Sequence, residues 1–122
     1  MVPEVQAFLR AMQDAGKLMA AICHAPWELV SAELVRGRTL TNYHTIQDDI
    51  RNAGGNWVDR AVVEDRNWVT SRQPDDLPSF NRAIISLFSR SRFAVQQDDK
   101  QLTISATRLG ISIDKANVDG PK

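Results

Sequence analysis

An α/β fold with a mainly parallel sheet is what this sequence predicts, on two observations. Helical and extended patterns alternate from the N-terminus to about residue 88, in the order helix, strand, helix, strand, helix, hairpin, helix. Among them stands "KLMAAIC" at 17–23, a continuous apolar run flanked on both sides by helical patterns, which is the signature of a strand buried on both faces, as strands of parallel sheets are. At 122 residues, 43% of them apolar, the chain has the size of one small domain.

The elements follow from spacing and punctuation. Val5, Phe8, Leu9, Met12 and Ala15 recur at the three-and-four spacing of a helix face, with Pro3 at the start and Gly16 just past the end. After the apolar strand, Pro26 sits in the first turn of a second helix that turns Leu29, Val30, Leu34 and Val35 inward, and Gly37 breaks it before a short strand, "RTLTN". "TIQDDIRNAGG" reads as a helix stopped by Gly54 and Gly55. "WVDRAVVEDRNWVTS" holds two extended segments around Asp65-Arg66-Asn67, a hairpin in which Asn67 is the alternative to Arg66 for a left-handed position. Asp75 is placed to cap a last helix with Leu77, Phe80, Ile84 and Phe88 on one face. Residues 89–122 break the pattern. "QQDDKQ", two weak extended patches and a polar end read as an atypical tail, either loosely ordered or a small hairpin. A lone central strand is not a finished sheet, so the sequence is expected to lack the strands beside "KLMAAIC".

Charge and cysteine usage exclude whole classes. Fifteen basic residues balance fifteen acidic ones, which gives no field for nucleic acid or an anionic membrane, and "SRSR" at 89–92 is too short for a basic footprint. Neither nucleic acid as a stable partner nor a membrane is expected. A single cysteine excludes an internal disulfide framework, and no apolar signal or span stands at the N-terminus, so a cytoplasmic protein is the expectation.

That cysteine, in "AAICHAPW", has two readings. Free cysteine is among the most buried residue types, so Cys23 at the end of an apolar strand fits a core thiol. A strand turning straight into a helix also makes a nucleophile elbow, with the side chain exposed at the sheet edge and the helix dipole and a neighbouring imidazole favouring thiolate. His24 would then be its base, and the amides of His24 and Ala25 would hold an oxyanion. Cys23, His24 and His44 have ligand chemistry but no fourth partner at a recognisable spacing, so neither a metal nor a cofactor is expected.

The segment from "AAICHAPWELVSAELVRGRTLTNYHTIQDDIRNAGG" to "VTSRQPDDLPSF" resembles the PfpI branch of the DJ-1/PfpI superfamily, intracellular cysteine peptidases and stress proteins related to class I glutamine amidotransferases. The resemblance runs from about Val2 to about Phe88. It implies a flavodoxin-like three-layer sandwich, with residues 1–88 the C-terminal portion of such a domain. Cys23 matches the nucleophile, His24 the histidine after it, and Tyr43 a position beside the active site, with Tyr43 and Ala25 on the substrate side. Pro26 and Trp27 match residues that shape the helix after the elbow by packing, and Asn52, Gly54 and Gly55 a helix stop.

Peptides, small carbonyl compounds or glycated protein and nucleotide amines are the implied substrates, and a homo-oligomer the implied state. The activity is that of a peptidase or of a deglycase-glyoxalase in stress protection. The alternative is an inactive fragment or a stress-linked interaction module. Members of the superfamily begin with a region that supplies the first strands, a glutamate bonded to the nucleophile and an acid lent to the neighbouring subunit. None of these is expected here, and Glu28 and Glu33 are expected on a solvated helix face. The family favours Asp-Gly at 65–66 and a proline after Tyr43. Here Arg66 stands in the first place and His44, expected at the surface, in the second.

Overall fold

The computed structural model describes residues 2–91. Met1–Phe88 cluster as one compact unit. Helix α1 spans Pro3–Asp14, strand β1 Met19–Ile22, helix α2 Pro26–Ser31, strand β2 Thr39–Leu40, helix α3 Gln47–Asn52 and strand β3 Asn56–Trp57. The hairpin is β4, Val62–Asp65, and β5, Trp68–Ser71, followed by helix α4 over 77–91. The last helix thus runs through Ser91, three residues into the expected tail. The rest of that expectation, 92–122, lies outside the described residues.

Strand β5 is the centre of the fold. It pairs in parallel with β1, Met19 opposite Trp68 and Ile22 opposite Ser71, and antiparallel with β4. Strands β2 and β3 form a second parallel pair, joined to β5 where the Thr41 N–H donates to Thr70 Oγ1 at 3.0 Å. Successive side chains of a strand point to opposite faces, and β5 uses both. Trp68 packs with Leu29, Val35, Leu40 and Ile50 from the α2 and α3 side, and Val69 packs with Phe80 and Leu87 of α4. Helix, sheet and helix therefore stack in three layers.

Several expectations are corrected at the edges. Strand β1 is half-buried with Ala20 exposed, not buried on both faces, because β5 is its only strand partner among the described residues. Helix α1 buries none of its residues: Leu9 and Met12 are half-buried, whereas Val5 and Phe8 are exposed. On α4 the inward face is Phe80, Ala83, Ile84 and Leu87; Leu77 and Phe88 lie outside it. Asp76, not Asp75, is the carboxylate engaged before that helix, accepting two hydrogen bonds from Arg72. In the hairpin Arg66 itself takes the left-handed position, at φ +54°, and Asn67 does not.

Three helices stop in the same way. In α1 the Lys17 N–H reaches Met12 O, in α2 the Leu34 N–H reaches Leu29 O, and in α3 the Gly55 N–H reaches Ile50 O, each with the preceding residue at positive φ. This is the Schellman closure. Gly16 and Gly54 supply the left-handed residue of the first and third, but Glu33 supplies the second, which is why α2 ends before Val35. Gly55 is required for another reason. A Cβ there would stand 2.8 Å from Ile50 Cγ2.

Candidate active site

The site begins where β1 ends. The Cys23 N–H continues the parallel register by donating to Ser71 O at 3.1 Å, and the chain then turns at Cys23 with φ +64°. A non-glycine residue in that region is uncommon and is held only where the surroundings over-determine it. Here the Tyr43 N–H donates to Cys23 O at 2.8 Å and the Ala25 N–H to Ile22 O at 3.1 Å, so the turn is fixed from both sides. Cys23 as a residue is half-buried. Helix α2 starts only at Pro26 and has six residues, so Cys23 stands outside it rather than on its first turn, and a helix dipole is a minor influence.

Sequence neighbours are brought into contact by this turn. Cys23 Sγ lies 3.2 Å from His24 Nδ1, and the other ring nitrogen, Nε2, faces Thr45 Oγ1 at 3.4 Å. The imidazole is stacked at 4.8 Å against the Tyr43 ring, which in turn meets the exposed His44 ring at 4.6 Å. Thiol, imidazole and hydroxyl form one line across the elbow. Such a line can move a proton from sulfur to nitrogen.

Of the two amides expected to hold an oxyanion, that of Ala25 is spent on Ile22 O, which leaves the His24 amide as the candidate donor. Trp27 is 45% exposed, with its ring 5.9 Å from that of His24 and its Nε1–H donating to Asp49 Oδ2 at 2.7 Å. Glu28 departs from its expected solvated face, since its Oε2 is out of water with no hydrogen-bond partner, whereas Glu33 is exposed. An open cleft of about 740 Å³ lies beside His24, with Ala25, Trp27, Glu28 and Asp49 among its walls. Thr45 and Asp49 carried no signal in the sequence. Each makes a contact across the fold that no spacing encodes.

The loop carrying Tyr43 is itself anchored. Asn42 is buried and accepts from Trp57 Nε1 at 2.8 Å, and Thr41 bonds to β5. Beneath it Arg38, 4% exposed, lies with its guanidinium 4.0 Å over the Trp68 ring and its Nε 3.1 Å from Asp65 Oδ2. Burial lowers the Arg38 guanidinium against the pull of Asp65. The Asp65 carboxyl, pushed up by its own burial, is carried below its usual value by the Thr39 amide, Arg66 and Arg38 together.

The model of the DJ-1/PfpI family matches residues 1–87. The chain belongs to that family. Within it, the chain is 46% identical over 81 residues to Deglycase TK1284 of Thermococcus kodakarensis, a match covering 66% of this chain and 49% of that one. It is 48% identical over 81 residues to Protein/nucleic acid deglycase 2 of Escherichia coli, covering 66% and 47%. The chain thus spans about half the length of the relatives it matches. Among solved structures, a two-domain Anabaena variabilis protein with DJ-1/ThiJ/PfpI-like and ferritin-like domains superposes with a TM-score of 0.70 at 40% identity, over 72% of this chain and 25% of that one. Drosophila melanogaster DJ-1beta superposes with a TM-score of 0.59 at 28% identity, over 88% and 54%. The DJ-1/PfpI fold of this chain is accordingly the flavodoxin-like sandwich, of which the described strands form a part. No described helix is long and apolar enough to cross a membrane.

Proposed function

We propose that this DJ-1/PfpI chain carries a cysteine-dependent deglycase site, acting on the carbonyl group of glyoxals and of their early adducts with protein or nucleic-acid amines. One observation carries the reading: Cys23 is held at φ +64° on the strand-to-helix turn with its sulfur 3.2 Å from His24 Nδ1. The names of the relatives, deglycase and protein/nucleic acid deglycase, supply the substrate class.

In this reading His24 Nδ1 takes the Cys23 proton, and the thiolate sulfur bonds to the carbonyl carbon as the C=O π pair moves onto oxygen. The His24 amide faces the resulting oxyanion. His24 then returns its proton to that oxygen, giving a thiohemiacetal. A shift of its C–H hydrogen to the neighbouring carbonyl carbon makes a thioester, which water hydrolyses to a 2-hydroxy acid and free Cys23. In an adduct the carbinolamine C–N bond breaks as its O–H pair re-forms C=O, and the amine takes the hydroxyl proton. In this reading Ala25, which lines the open cleft, and the Tyr43 ring, 4.8 Å from that of His24, bound the substrate.

The test is methylglyoxal consumption by the purified protein. The wild type consumes it, and Cys23→Ala lowers the rate by about 100-fold or more, the scale of losing a positioned nucleophile and base. Equal rates for the two proteins would sink the reading.

A further inference from the structure

The imidazole of His24 has two nitrogens and, when neutral, one proton. Which nitrogen holds it is set by the hydrogen bond the other makes. To accept from Cys23, Nδ1 must be bare, so the proton must sit on Nε2, and an N–H there needs an acceptor. The group in that place is the Thr45 hydroxyl, 3.4 Å away on the turn His44–Ile46. Of the two carboxylates in the cleft wall, Asp49 is already the acceptor for Trp27 Nε1, and Glu28 Oε2 has no hydrogen-bond partner, the ring of His24 included. The Tyr43 and Trp27 rings meet the imidazole ring at 4.8 and 5.9 Å between centroids, and His44 meets Tyr43.

We propose that Thr45 is a positioning residue. Its hydroxyl accepts from His24 Nε2–H, fixes the tautomer with Nδ1 bare toward the thiol, and holds the imidazolium once the Cys23 proton has crossed. The proton balance is closed: the S–H bond breaks, the Nδ1–H bond forms, and Nε2–H stays where it was. Thr45 thereby fills the place after nucleophile and base that an acid takes in other triads. The turn that carries Thr45 also carries the Tyr43 amide bonded to Cys23 O, so the hydroxyl and the elbow are registered to one another by the backbone.

This inference rests on the Cys23–His24 reading above but is tested without substrate turnover. In a His44→Gln background, which leaves a single imidazole, long-range proton–nitrogen correlation at about pH 8, above the ordinary histidine range, reads the His24 tautomer. The same samples give the rate of Cys23 alkylation by iodoacetamide. The expected result is an Nε2–H tautomer and fast alkylation with Thr45 and with Thr45→Ser. Thr45→Val, which keeps the shape and removes the hydroxyl, should give mixed tautomers and a rate about 10-fold lower, the scale of one hydrogen bond to a charged group. Thr45→Val matching the wild type in both readouts overturns the inference, whatever the turnover. A protein that shows the tautomer and the fast alkylation but leaves methylglyoxal untouched keeps this inference and loses the substrate.

Discussion

Cys23, Glu33 and Arg66 hold φ at +64°, +59° and +54° without being glycine, at a cost on the order of 1 kcal/mol each. At Cys23 that cost accompanies a thiol pointed at an imidazole, 3.2 Å from His24 Nδ1. Arg66 recovers part of it through Asp65 Oδ1 at 3.2 Å and Gly37 O at 3.4 Å. Glu33 is exposed at the left-handed position of the α2 closure and offers a clean measurement. Glu33→Gly should raise unfolding stability by about 0.5 to 1 kcal/mol, the relief of a side chain from that conformation, read by urea denaturation with an unchanged slope. The same three positions mark where sequence reading stops. Gly16 and Gly54 announced their turns because glycine is the residue such turns favour, whereas an ordinary side chain in the same conformation leaves no mark. Cys23 and His24 were legible because the turn that joins them is local. Thr45, twenty-one positions after His24, was not.

The segment from Arg72 to α4 depends on charge. Arg72 donates to both carboxylate oxygens of Asp76, at 2.9 and 3.0 Å, and to Asp59 at 2.9 Å. These bonds, Asp76 foremost, raise the Arg72 guanidinium, and the Arg72 hydrogen bond holds the 8%-exposed Asp76 carboxyl below its usual value against its burial. A folded carboxyl below its unfolded value of about 3.9 stabilises the fold above that pH, and the contribution disappears as the pH falls through the lower folded value. Asp76→Asn should therefore melt below the wild type near neutrality, with the gap narrowing as the pH falls below the unfolded value and through the lower folded one. A thermal melt series in pH checks this, and a gap that stays constant contradicts it. Some acid sensitivity persists in the variant through Asp65, which is lowered too. Helix α4 shows why its cap was misplaced. Asp75 has the spacing of a cap, but Asp76 is the one that the path of β5 brings against Arg72, and the buried stripe turns with it to Phe80, Ala83, Ile84 and Leu87.

Across the whole molecule, order is graded outward from β5, all four of whose residues are buried. Helix α1 is the opposite extreme, with no buried residue and polar ties at Gln13, which accepts from Trp68 Nε1 and Asn67 Nδ2, and at Arg10, which donates to Ala32 O. Native-state hydrogen exchange should then find α1 amides opening far below the global free energy and β5 amides only with it; equal protection would contradict the gradient. The alternation that predicted an α/β fold was legible because it is written in local periods. The half-covered state of α1 and β1 was not, since burial depends on what lies beside an element. One more consequence follows from the register of β1 on β5. The strands that meet at Met19 and Trp68 lie about fifty positions apart, so their pairing awaits closure of a loop of that length. The bond from Cys23 to Ser71 forms only with that closure. Until then Cys23 is an ordinary thiol on a flexible chain. If the proposed nucleophile depends on this anchored turn, its reactivity develops with folding, and a thiol-directed probe added during refolding would time the arrival of that long-range contact.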